Sequence, residues 1–77
     1  FTEVALPEDS GLIGQNVTDV GSFARVGVRV VDVLRGDASL RRTLKEVVLA
    51  AGDRVVLRTQ MDELLGLQDN PDVRLVD

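Results

Sequence analysis

Arg35, Arg41, Arg42 and Lys45 crowd one short stretch of the chain, and Arg29 precedes it on the same strand alternation as Arg35. A guanidinium grips phosphate or carboxylate through paired N–H donors. Arg29, Arg35, Arg41 and Arg42 are therefore the candidate ligand residues, and the ligand they suit is an anion. The competing reading is a solvated or dimer-pairing surface, in which Asp32, Asp37 or Glu46 neutralises the cluster. The first reading leaves a concave electropositive site and the second leaves none.

Other chemistry-like patterns have plainer explanations. Arg35-Gly36-Asp37 spells an adhesion tripeptide, but it sits where two strands need a turn. Asn16-Val17-Thr18 fits the glycosylation pattern, yet Val17 belongs to an apolar stripe and not to an exposed loop. The glycines form neither a dinucleotide fingerprint nor a phosphate loop, and they mark element boundaries. Glu8-Asp9 and Asp62-Glu63 are adjacent acids beside a turn and a helix start, where capping and solubility account for them. No EF-hand loop is present.

Composition narrows the classes further. The 77 residues include 13 Asp and Glu against 9 Lys and Arg, giving a net charge of −4, with no His, Cys, Trp or Tyr. That excludes a Ser-His-Asp triad, a cysteine nucleophile, an ordinary zinc site and a histidine switch. Neither an enzymatic role nor a cofactor or metal is expected. An acidic chain with two aromatic residues lacks the basic face and stacking rings of a nucleic-acid binder. The longest apolar run, residues 47–51, is far too short to enter and span a bilayer. A chain this small without disulfide or zinc gains from extra burial through self-association.

Fourteen valines favour strands, because β-branched side chains suit a pleated, half-buried surface. Strands are expected at 3–6, 28–34, 44–49 and 54–59. Ile13, Val17 and Val20 have helical spacing and predict a short helix over 14–20. Met61, Leu64, Leu65 and Gln68 predict a second helix, with Asp62 and Glu63 in its first turn. In the long strand, alternation places Arg29, Val31, Val33 and Arg35 on one face and Val28, Val30, Asp32 and Leu34 on the other. Neither face is purely polar, so both are expected to be partly covered. The order β-α-β-β-β-α describes one α+β domain, a small, mostly antiparallel sheet with two short helices packed on it. Its core covers about 3–68, and 69–77 is a loose tail or an edge strand. A start at Phe1 suggests a domain, 1–77, cut from a longer chain.

The run EVALPEDSGLIGQNVTDV, then FARVGVRVVDVLRG, then AGDRVVLRTQMDELLGL resembles the TrkA-C domain, the C-terminal lobe of the regulator-of-potassium-conductance (RCK) module. Ser10-x-Leu12-Ile13-Gly14-Gln15 matches the entry to the family's first helix, Gly27-Val28 its central strand, and Gly52-Asp53 the start of its last strand. The resemblance implies a homodimeric cytosolic domain that regulates a membrane ion channel or transporter. The parent would be a potassium system, a cation/proton antiporter or a sodium-coupled symporter. VDVLRGDASLRR followed by LRTQMDELLGL most resembles the copies in sodium-coupled dicarboxylate or sulfate symporters. The partners so implied are a second copy, the transmembrane part of the transporter, and a small anionic or nucleotide ligand. Some family members bind cyclic di-adenosine monophosphate through the stretch matching 21–26 and a polar residue matching Arg29. Gly21 and Phe23 depart from that pattern, and Arg29 is retained as the leading anion contact.

Overall fold

The computed structural model describes residues 1–76. Its strands are β1 (Thr2–Ala5), β2 (Val28–Arg35), β3 (Ala38–Ser39), β4 (Arg54–Thr59) and β5 (Arg74–Val76), with one α-helix, α1 (Met61–Gln68). The sheet order is β3-β2-β4-β1-β5 and every pairing is antiparallel. The α+β class therefore holds. The segment after Pro71 supplies β5, an edge strand on β1 with Leu75 opposite Val4.

One face of the sheet carries the core. Val4, Val33, Val55 and Leu57 are fully buried there. Leu12, Val17, Val20, Phe23, Leu49 and Leu67 close over them. Pairings place Glu3, Val56, Asp32, Leu34 and Arg54 on the opposite face. Val56 and Leu34 are only half-buried.

The first expected helix is replaced by two 3-10 turns, Val17–Asp19 and Gly21–Phe23. The reason is backbone competition. Gly14 N–H donates to Leu49 O at 2.8 Å, Leu49 N–H to Gln15 O at 2.9 Å, and Val17 N–H to Val47 O at 3.0 Å. Groups spent across the chain are lost to an i→i−4 ladder. Gly14 also sits at φ +89°, which interrupts a right-handed helix. Val17 and Phe23, one in each turn, and Val20, in extended conformation between them, are buried. Ile13 stays at the surface.

The same pairing explains the third expected strand. Residues 44–49 form no regular strand. Arg41–Glu46 is a 3-10 segment, and Val48 makes a single bridge to Asn16. In α1 Leu67 is buried in the core and Leu64 is half-buried, while Met61 and Leu65 remain exposed.

Ser10 fastens the two ends of the fold. Its Oγ donates to Asp72 O at 2.7 Å and accepts from Leu12 N–H at 3.1 Å, and the Asp72 carboxylate accepts from Gly11 N–H at 2.9 Å. Gly27 enters β2 at φ +90°, and a Cβ there would lie 3.2 Å from the Gln60 side chain. Gly27→Ala should lower stability by about 1–2 kcal/mol, the cost of a left-handed L-residue. A denaturant titration reads this as a lower midpoint with an unchanged slope.

Candidate anion site on the sheet

A β-bulge decides where the arginines go. The register of β2 against β4 shifts between Val30 and Asp32. One extra residue inverts the alternation beyond it. Arg29 lies opposite Arg58, on the face away from the core, whereas Val33 lies opposite Val55 in the core. Arg35, two residues past Val33, shares the core-facing side and not the side of Arg29. The expected common face for Arg29 and Arg35 is thereby corrected.

Arg35 is engaged by a buried carboxylate while half of its own side chain stays exposed. Its Nε donates to Asp53 Oδ1 at 2.9 Å, and its Nη2 donates to Asp53 Oδ2 and to Val48 O, both at 2.8 Å. Asp53 is 1% exposed and also accepts from Ala50 N–H at 2.9 Å. Burial alone pushes the Asp53 carboxyl upward. The Arg35 hydrogen bond, the Ala50 N–H and the Arg35 charge outweigh it and hold the group below the ordinary carboxylate range. The same bond raises the Arg35 guanidinium. Asp53 is thus the partner of Arg35, in place of Asp32, Asp37 or Glu46. Asp32 is occupied otherwise, accepting from Val33 N–H at 2.7 Å and Ser39 Oγ at 2.6 Å.

Gly36 and Asp37 form the two-residue connection between β2 and β3, with Arg35 opposite Ala38. Gly36 takes φ +58° while Asp37 stays negative, as a hairpin turn with glycine first demands. The tripeptide is a turn.

The other arginines group differently from expectation. Arg29 and Arg58 face one another across the strands and line a shallow depression of about 410 Å³ with Phe1, Val30, Val31 and Leu44. The Arg58 guanidinium stands 5.8 Å from the centre of the Phe1 ring. Leu44 also lines a second depression, of about 440 Å³, with Arg41 and Arg42. Leu44 is thus the residue common to the two depressions, Arg41 and Arg42 line the second and not the first, and Arg35 lines neither.

Among the described residues, three arginines have carboxylate partners: Arg25 with Glu63, Arg35 with Asp53, and Arg54 with Glu3. Among the described residues, Arg29 and Arg58 have none. Like charges directly opposite in a sheet are destabilising. An oxyanion between them would remove that repulsion and accept donors from both. Sequence reading missed Arg58 because its opposition to Arg29 depends on the strand register.

Among the described residues, no group of three or more acids is placed to hold a metal ion, and no helix is long and apolar enough to cross a membrane. No curated protein and no solved structure matches the chain significantly. The family model for the TrkA-C domain matches residues 1–71, nearly the whole chain. TrkA-C domains are in general regulatory domains of transporters. With its five-stranded antiparallel sheet and single α-helix beneath that match, the chain belongs to the TrkA-C domain family.

Proposed function

We propose that this domain regulates a membrane transporter from its cytoplasmic side by binding a small anion at Arg29 and Arg58, with Arg41 and Arg42 nearby. The observation that carries the reading is the directly opposed arginine pair, which has no carboxylate partner among the described residues. The parent is a sodium-coupled dicarboxylate or sulfate symporter on the sequence resemblance, with a potassium uptake system or channel as the alternative. The functional unit is a homodimer, and a bound anion favours one arrangement of its copies. Binding becomes regulation only through different affinity for the two transport states.

A second reading is a structural dimerisation module without a ligand. Arg35 supports it, because Asp53 consumes the cation that sequence reading assigned to the ligand. The half-buried Leu34 and Val56 on the outer sheet face are further support. Transport assays on the intact parent separate the two. The sensing reading predicts that Arg29→Ala removes the anion dependence of transport while the transporter still assembles. Unchanged anion dependence, or lost assembly, supports the structural module.

A further inference from the structure

Met61 and Leu65 are 74% and 60% exposed, one turn apart on α1, and Val26 is 94% exposed. These residues belong to abutting segments. Gln60 N–H donates to Gly27 O at 3.0 Å, and Arg25 Nε donates to Glu63 Oε2 at 2.6 Å, so residues 25–27 run along the start of α1. Leu67 provides the helix's contact with the core and Leu64 is half-buried, while Met61 and Leu65 stand exposed outside the core cluster.

Gly66 gives a second, independent observation. Glycine inside a helix is less stable than alanine. Yet a Cβ at Gly66 would meet nothing within 4 Å. No neighbour among the described residues requires a glycine there. Its absent side chain leaves the helix backbone open to close approach from outside, beside a cleft of about 380 Å³ that it lines with Ser22 and Arg25.

Charge selects the occupant. Asp62 and Asp69 fall on the exposed side of the helix, flanking Leu65 and Gly66, and residues 61–69 contain no Lys or Arg. An anionic bilayer would be repelled by these acids. A second α1 would bring the same acids against each other. A helix with an apolar stripe and flanking Lys or Arg satisfies both the aliphatic residues and the carboxylates. We propose that the surface of Val26, Met61, Leu65 and Gly66 docks a basic amphipathic helical segment from the membrane part of the parent transporter. Its assignment to the transporter rests on the regulatory reading above, and segments flanking membrane spans on the cytoplasmic side are rich in Lys and Arg.

The test is a titration of the 77-residue domain with a synthetic amphipathic Leu/Lys helix, followed by methyl NMR. A peptide of the same composition without helical spacing serves as control, and anionic vesicles are a separate arm. The amphipathic peptide should bind in the micromolar range, with shifts centred on Val26, Met61 and Leu65. Leu65→Ser and the pair Asp62→Asn with Asp69→Asn should each weaken it at least tenfold. Gly66→Ala should raise the unfolding midpoint of the free domain while weakening the peptide, a combination that a purely structural glycine would not give. Equal binding of the control peptide, indifference to Leu65→Ser, binding to vesicles, or dissociation of a dimer by Leu65→Ser overturns the proposal. Arg29 and Arg58 lie outside this surface, so failure here leaves the anion reading standing, and loss of anion binding leaves this surface standing.

Discussion

Replacing Arg35 with alanine should lower the unfolding midpoint by on the order of 15 °C, corresponding to about 3 kcal/mol in a domain of this size. Asp53 is 1% exposed, and the substitution removes both guanidinium donors while leaving the carboxylate buried. Val48 O loses a donor at the same time. Half of the Arg35 side chain reaches water, which places the cost at the low end of the range for a broken buried pair. Arg35→Lys should fall between, since an ammonium keeps the charge but cannot reproduce the two-pronged contact. Acid sensitivity gives a second readout. The folded-state value of Asp53 lies below its unfolded value of about 3.9, so its contribution is present above that pH and is lost as pH falls through the folded value. In Arg35→Ala burial has fewer opponents and the Asp53 value rises. The variant should therefore recover part of its lost stability on mild acidification, where the parent domain recovers none. Calorimetric unfolding across pH 3–7 reads both effects.

Arg58→Ala should show opposite signs with and without anion. In anion-free buffer the variant loses only a repulsive cross-strand neighbour and an exposed ring contact, so its stability should be unchanged or higher by about 0.5 kcal/mol. With an oxyanion present, its dissociation constant should rise by roughly ten- to a hundredfold, the value of one or two charge-assisted hydrogen bonds. Arg29→Ala should behave alike. Arg41→Ala and Arg42→Ala, which reach the pair only through Leu44, should weaken binding less. Isothermal titration with sulfate, a dicarboxylate and a nucleotide measures the binding, and denaturant midpoints measure the stability. A site in which either arginine served folding would instead lose stability without ligand.

The contrast between Arg35 and Arg29 shows where sequence reading reaches its limit. The strong period-two pattern of β2 and β4, the Gly36-Asp37 turn, the turn into Asp53 and the helix after Gln60 were all legible, because each depends on local propensity and alternation. The bulge between Val30 and Asp32 was not. The extra residue, Val31, is a valine beside Val30 in a valine-rich run, so no change of residue type marks it, yet it alone sends Arg29 and Arg35 to different faces. The 13–20 stretch misled for another reason. Its apolar spacing suits a helix, but the backbone of 14–17 is claimed by Val47 and Leu49, a partner thirty residues away that periodicity cannot reveal. Arg58 and Asp53 were missed for the same cause: their roles are set by register and burial, neither of which is local. The resemblance to the TrkA-C domain did identify the fold, since it rests on well-spaced glycines and apolar positions that serve the framework.

The most direct measurement is thermal unfolding of the domain by circular dichroism against cyclic dinucleotides, adenine nucleotides, dicarboxylates, sulfate and divalent cations. One anionic class should raise the midpoint by several degrees at about 100 times its dissociation constant, equivalent to about 2.7 kcal/mol, and Arg29→Ala and Arg58→Ala should each cut that shift to about half or less at the same ligand concentration. No shift with any anion, or a shift undiminished by either substitution, would contradict the anion site.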